Sequence, residues 1–246
     1  MQYKFAEWEV RNLGSRTLEI TLEKSDKPEC IAKDIENLRM QYECQYIVVK
    51  ADSILHEASN ILQENGYQYI ESQIGLKMQR EIAEKKHRFY TNIFDIASYE
   101  KITKTSDIEF VKNEIMKGIF TTDRIALDQK FGVKLANKRY ANWLGDEINK
   151  NSCLYVVKDD GTDVAFFLNK PINNRLQYAL LGGVFKSYGN KGFGALMNYC
   201  VLDDFINSER KIMETGVSSN NVAILQLHIA FGYIIKNITN VFIKHH

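Results

Sequence analysis

The most chemically suggestive segment reads Val184-Phe-Lys-Ser-Tyr-Gly189-Asn-Lys-Gly192-Phe-Gly194-Ala-Leu-Met. A strand pattern ends, glycines follow, and an apolar helix begins. A helix N-terminus offers unpaired backbone N–H groups and a partial positive charge. Glycines let a ligand approach that backbone closely. The combination suits a phosphate or pyrophosphate. A P-loop needs Ser or Thr after Gly-Lys, and none follows a suitable pair here. A Rossmann turn needs GxGxxG on an early strand, whereas the order here is reversed, Gly189-x-x-Gly192-x-Gly194. The competing reading is a packing turn without a ligand.

Other residues carry chemistry more weakly. Asn221, like Ser218 and Ser219, precedes an apolar helix and suits an N-cap. His228 lies inside that helix, where a lone histidine is ordinarily structural. Asp123 and Arg124 lie in the stretch Phe120–Phe131. An acid there would hold an ammonium and an arginine a phosphate, with a helix-cap salt bridge as the alternative. Glu214, on a predicted strand, is a candidate water-mediated base. His56 and His87 have no constellation around them, and His245 and His246 read as a tag remnant or a disordered end. Cys30, Cys44, Cys153 and Cys200 form no CxxC pair and match no zinc spacing, so they read as buried apolar residues with free thiols.

The elements that position these residues follow from periodicity. Leu18, Ile20 and Leu22 alternate with Thr17, Glu19 and Thr21, a strand pattern. Pro28 opens a helix through Ile31, Ile35 and Leu38. Tyr46–Val49 reads as a buried strand. Asp52 or Ser53 caps a helix that stops at Asn65-Gly66, and Tyr67–Met78 reads as a strand. Residues 81–94, with the run EKKHR, read as a solvated linker. Beyond it come a strand at Tyr99–Thr103, a capping box at Ser106 and Glu109, and a long helix carrying Tyr140, Trp143, Leu144 and Ile148. Strands follow at Cys153–Lys158 and Val164–Leu168 around the turn Asp159-Asp160-Gly161. Then come a strand at Gln177–Val184, the glycine turn and its helix, strand Lys211–Val217, helix Asn221–Phe231 and strand Tyr233–Lys244. Asn60–Met78 faintly echoes Gln226–Lys244: both are a helix end, Gly-Tyr and a strand, as two related α/β halves would show.

In this frame Val184–Gly194 resembles the acetyl-coenzyme A loop of the GCN5-related N-acetyltransferases, V-x-P-x-(Y/F)-(Q/R)-G-x-G-(I/V/F)-G at the end of their fourth strand. Asn221, Ile224, His228, Gly232 and Tyr233 fill the family's next landmark without a gap, with His228 where the family has a tyrosine. The order of elements agrees, and the resemblance covers about Tyr99 to Lys244. It implies a mixed, twisted α/β sheet and acetyl-coenzyme A as co-substrate. Gly183, Val184, Gly189, Asn190, Lys191, Gly192, Phe193, Gly194 and Asn221 would hold it. An amine attacks the thioester, a backbone N–H near Gly183 or Val184 holds the oxyanion, and His228 serves as general acid near its ordinary pKa of about 6.5. Three positions depart from the family pattern. Gly189 stands for Gln or Arg, Asn190 for the glycine that follows it, and Lys186 for Pro, leaving Lys191 to supply a cation.

A narrower likeness lies upstream. Phe120-Thr-Thr-Asp-Arg-Ile-Ala-Leu-Asp128, followed by Asn137-Lys-Arg-Tyr140-Ala-Asn-Trp143, resembles a stretch of the TDP-fucosamine acetyltransferases. They too carry a small N-terminal α/β domain. The likeness implies a nucleotide-linked amino sugar as acceptor, with Asp123 and Arg124 lining its pocket.

Composition narrows the partners. The chain has 246 residues, and Lys+Arg 32 against Asp+Glu 31 argues against a nucleic-acid partner. The N-terminus lacks a signal-peptide core and no segment reads as a membrane span, so the expectation is a soluble, cytoplasmic protein. The expected organisation is α/β, with a half-acetyltransferase-like unit at 1–91 and a catalytic domain at 92–246. No metal and no membrane partner are expected, and a homodimer is compatible. Two alternatives keep the fold: transfer to an antibiotic, peptide or natural-product amine, and a coenzyme A-binding regulatory protein without strong catalysis.

Overall fold

The computed structural model describes residues 1–246. The first part runs β1 (Gln2–Phe5), α1 (Glu7–Leu13), β2 (Thr17–Thr21), α2 (Pro28–Gln41), β3 (Tyr46–Asp52), α3 (His56–Glu64) and β4 (Gln68–Gln79). Next come α4 (Arg80–Tyr90), β5 (Ala97–Ile102), α5 (Thr105–Met116), α6 (Arg124–Leu127), α7 (Gly132–Ile148), β6 (Cys153–Asp159), β7 (Thr162–Pro171) and β8 (Leu176–Val184). A 3-10 turn (Lys186–Tyr188) leads to α8 (Phe193–Asn207), β9 (Ile212–Ser218), α9 (Val222–Ala230) and β10 (Ile234–His245).

All ten strands form one sheet in the order β1-β2-β3-β10-β4-β9-β8-β7-β6-β5. Apart from the added β6 and β5 at one edge, the order reads symmetrically about the β10–β4 pair. β2 and β3 are parallel, as are β8 and β9, while β10 on β3 and β4 on β9 are both antiparallel. The two segments that echo each other in sequence meet at the centre. Laying Asn60–Met78 over Gln226–Lys244 places Gln73 on Thr239, and the β4–β10 ladder pairs Gln73 with Thr239. A residue paired with its own equivalent marks a pseudo-twofold axis. The halves therefore exchange strands: β4 enters the sheet beside β9, and β10 returns beside β3. Gly66 and Gly232, which precede the equivalent Tyr67 and Tyr233, both sit at positive φ (80° and 95°).

The halves differ where it matters. β2 and β3 pair along five positions, from Thr17↔Tyr46 to Thr21↔Lys50. β8 and β9 pair only from Leu176↔Ile212 to Tyr178↔Glu214, and then diverge. One V is closed and its partner is open.

Several local expectations need correction. Residues 81–94 are not a solvated linker, because Arg80–Tyr90 is helix α4. Its charges face out while Ala83 is buried, Tyr90 stacks on Phe231 and His87 stacks on Tyr199. A dense charge run hid a helical stripe that only α8 and the Phe231 corner cover. Lys104, not Ser106, is the N-cap of α5, and Ser106 Oγ donates to Asp107 instead of closing a capping box. The third helix starts at His56 after Leu55, with Asp52 accepting from the Ile54 N–H. Short elements at Gln2–Phe5, Glu7–Leu13 and Arg124–Leu127 gave no periodic signal and were not expected. His245 is neither tag-like nor disordered: it ends β10, with Nε2 2.7 Å from Asp128 Oδ2.

Candidate active site

Helix α8 begins at Phe193 behind Gly192, which is at φ 86° and supplies no side-chain cap. Asn190 is also left-handed, at φ 60°, a region Asn tolerates better than most residues. It therefore takes the place of a glycine without breaking the turn. The backbone N–H groups of Asn190 to Gly194 have no acceptor within the protein. Successive free donors in such a turn, at the start of a helix of fifteen residues, have the chemistry to accept an anion. Lys191 Nζ lies 5.5 Å from the Tyr188 ring centroid and has no acidic partner within the protein. The backbone needed for a pyrophosphate is thus present, with a free lysine beside it.

The open V supplies a cleft of about 670 Å³ between β8 and β9. Two features mark where it opens. A bulge at Leu180 shifts the β7–β8 register, since Leu168 faces Leu181 whereas Asn169 faces Ala179. An inserted residue leaves ladder groups unpaired and re-aims them. Just past the last β8–β9 pair, Thr215 Oγ1 donates to the Ala179 carbonyl at 2.8 Å. A side chain closes the ladder where the strands part. Ala179, Leu180, Leu181 and Gly182 then line the cleft with no strand partner on the β9 side.

The cleft has two unlike faces, because strand side chains alternate. On the α8–α9 side stand Ile74, Leu76, Phe167, Met197, Val201, Val217 and Tyr233, an extension of the large core. His228 and Asn221 lie on this side. The other side is lined by Phe120, Tyr140, Trp143 and Tyr178 with the carboxylates of Glu71, Asp123 and Glu214. Its one cationic side chain is Lys236, whose Nζ is 2.7 Å from Glu214 Oε2. Ser218 Oγ donates to the Thr122 carbonyl at 2.7 Å and fixes the loop that brings Asp123 to the cleft. Burial raises the Glu71 carboxyl above its usual range; Ser218 opposes the rise and Asp123 adds to it. Burial, then Asp123, likewise raises the Tyr140 hydroxyl.

The expected residues fare differently. Asn221 caps α9, its Oδ1 accepting from the Ile224 N–H at 3.4 Å, and it also lines the cleft. His228 lines the cleft with Nδ1 buried and unpartnered, against Tyr233 at 4.8 Å. Burial lowers its pKa to about 4. It is therefore neutral near pH 7, not the partly protonated acid expected from an ordinary histidine. A neutral ring can donate or accept a hydrogen bond but delivers no proton from an imidazolium. Gly183 and Val184 pair with Phe166 and Ala165 and lie past the lined part of the cleft, on the way to the glycine turn. The unpartnered β8 edge lies instead at Leu180 and its neighbours. Asp123 is a helix cap, accepting from the Ala126 N–H at 3.0 Å, and reaches the cleft as well.

Arg124 does not face the cleft. Only 5% exposed, it lies 2.8 Å from Glu9 and 3.1 Å from Glu19, against the N-terminal half. Adjacent residues of one loop point opposite ways, so the aspartate meets the cleft and the arginine meets the first unit. Glu71, Tyr178, Lys236 and the bulge at Leu180 escaped the sequence reading. Glu71 and Lys236 reach the cleft only through the strand exchange, which no local pattern encodes.

Comparisons bear on the fold. No family model and no curated protein matches the sequence. Solved structures do match. A GCN5-related N-acetyltransferase from Sphaerobacter thermophilus superposes with TM-score 0.62 at 10% identity, covering 93% of this chain and 73% of that one. A tandem GNAT protein from the clavulanic acid biosynthesis pathway gives 0.57 at 9% identity, covering 93% and 75%. A conserved protein of unknown function from Staphylococcus epidermidis gives 0.61 at 13%, covering 94% and 85%. The chain thus has a mixed α/β fold similar to that of GCN5-related N-acetyltransferases along nearly its whole length.

Proposed function

We propose that the protein is an acyl-coenzyme A-dependent N-acyltransferase acting on a small cationic amine. The observation that carries this reading is the open β8–β9 V, which leads from a run of free backbone N–H groups at the α8 N-terminus to a carboxylate-lined basin. The pyrophosphate of acetyl-coenzyme A suits the Asn190–Gly194 turn with Lys191 beside it, and the pantetheine arm suits the V past Asn221. The thioester carbonyl then meets the unpaired backbone around Leu180, where a fixed N–H stabilises the developing oxyanion. His228, neutral at working pH, offers the departing sulfur a hydrogen bond from the α9 side.

The acceptor enters from the other face. Four aromatic rings and three carboxylates against one lysine recognise an ammonium by charge and by cation–π attraction. A nucleotide-linked amino sugar is less well served. Its phosphates would need the cation of Arg124, and that guanidinium is engaged by Glu9 and Glu19. A small amine without phosphate, including the antibiotic and natural-product class, fits the basin better.

Calorimetry with acetyl-coenzyme A, and adenosine diphosphate as control, is the first test. Micromolar binding followed by thiol release with simple amines supports the reading. Binding without turnover on any amine favours a coenzyme A-binding regulator, and no binding refutes the assignment of the turn.

A further inference from the structure

The cleft holds four groups able to take a proton from an acceptor near neutral pH: Glu71, Asp123, Glu214 and His228. Three are engaged or misplaced. Glu214 is paired with Lys236 at 2.7 Å. Asp123 accepts from the Ala126 N–H as the cap of α6. His228 stands on the α8–α9 side, across the sheet from the acceptor basin. Glu71 is different. It is 2% exposed and has no salt bridge to any lysine or arginine; Gln73 Nε2 donates to it at 3.3 Å, and the Ser218 hydroxyl, which donates to the Thr122 carbonyl, lies beside it. Arg124 acts on it only from a distance, being engaged by Glu9 and Glu19, and a carboxylate so buried without an ion pair of its own is costly in the free protein. The missing partner is a positive charge arriving in the cleft.

Building on the acyltransferase reading, we infer that Glu71, delivered by β4 from the N-terminal half, binds the acceptor ammonium and takes its proton. The first unit then completes the acceptor site through strand exchange. One ammonium proton passes to a Glu71 oxygen, leaving a neutral amine. Its lone pair attacks the thioester carbon, a C–N bond forms, and the oxyanion faces the β8 bulge. On collapse the C–S bond breaks, and the second nitrogen proton goes to the departing sulfur. The amide and the free thiol leave, and Glu71 releases its proton to water.

The groups facing Glu71 are Asp123 and Arg124 from the α6 segment, Ser218 from β9 and Gln73 from its own strand. Asp123 and burial favour the protonated acid, while Arg124, Gln73 and Ser218 oppose them.

The variant Glu71→Gln tests the inference, with acetyl-coenzyme A as donor and ethanolamine, tyramine and putrescine as probe amines, and water as the fallback acceptor. The variant is expected to bind acetyl-coenzyme A within twofold of the wild type by calorimetry. Thiol release at pH 7 should fall by about a hundredfold or more. The deficit should shrink as pH rises and the amine deprotonates unaided, and Glu71→Asp should recover part of the rate. A second readout needs no acceptor. Removing an unpaired buried charge should raise the melting temperature at pH 8, with the gain vanishing near pH 4, where the carboxyl is already protonated. Thiol release within threefold of wild type, or a lower melting temperature at pH 8, overturns the role of Glu71. Failure of the wild type itself to bind acetyl-coenzyme A overturns the acyltransferase reading instead, and the melting comparison still decides whether Glu71 is an unsatisfied charge.

Discussion

Replacing Arg124 with methionine removes the cation that joins the two halves beneath the cleft. Its guanidinium sits 2.8 Å from Glu9 Oε1, 3.1 Å from Glu19 Oε1 and 3.4 Å from the Tyr46 hydroxyl. Glu9 keeps Arg139 at 2.9 Å after the change, whereas Glu19 keeps only Lys4 at 3.0 Å, itself largely exposed, and the charge of Lys50. Burial alone would raise the Glu19 carboxyl. Arg124, with Lys50 and Lys4, more than offsets that and holds it at about 2 against an ordinary 4.5. At 1.36 kcal/mol per pKa unit, that depression is equivalent to roughly 3 kcal/mol of stability, shared among the three cations. The figure agrees with the roughly 3–5 kcal/mol lost when a buried pair is broken by removing one partner.

The sign of the pH dependence follows. A carboxyl with a depressed folded pKa stabilises the protein above its unfolded pKa, and the gain is lost as pH falls from about 4.5 towards about 2. Urea unfolding of wild type and Arg124→Met at pH 7 should differ by about 3–5 kcal/mol. The gap should narrow by about 2 kcal/mol at pH 3, where much of the Glu19 contribution has already gone. Adding Glu19→Gln to Arg124→Met should restore much of the loss, because Glu19 is the carboxylate left without its buried partner while Glu9 keeps Arg139. A penalty under about 1 kcal/mol at pH 7, or one that does not change with pH, would show that the cluster is solvated and that Arg124 holds no buried carboxylate in its charged form.

Gly192→Glu or Gly194→Glu places a carboxylate at the free N–H groups of α8 and should abolish acetyl-coenzyme A binding in calorimetry; unchanged affinity refutes the pyrophosphate assignment. His228→Phe keeps the ring volume but removes the polar atom, so turnover should fall at least about tenfold with little change in donor affinity, and equal rates would remove His228 from the reaction. Because burial lowers the His228 pKa to about 4, acidification from about 6.5 downward should cost the wild type up to about 3 kcal/mol that His228→Asn does not lose, measured by urea unfolding across that range. Thr215→Val deletes the bond to the Ala179 carbonyl where the V opens and should cost about 1 kcal/mol in thermal unfolding; no loss would mean that water serves equally well there.

The run of free backbone donors before α8 was legible in the sequence. A strand ending, glycines and an apolar helix require free backbone donors wherever the chain later places them, because those donors belong to the helix end itself. The caps at Asp123 and Asn221, the turn at Asp160-Gly161 and the start of α2 at Pro28 are local in the same sense. The repeated helix–Gly-Tyr–strand pattern announced two related halves. What it could not convey was that the halves exchange β4 and β10, since pairing partners in a sheet lie far apart in the chain and leave no periodic trace. That exchange carries Glu71 and Lys236 into the cleft, while the register of α6 turns Arg124 away from it. Periodicity distinguishes a buried face from an exposed one, but not a closed V from an open one. Whether two parallel strands stay paired depends on a bulge at Leu180 and a hydroxyl at Thr215, and both act only once the sheet has formed.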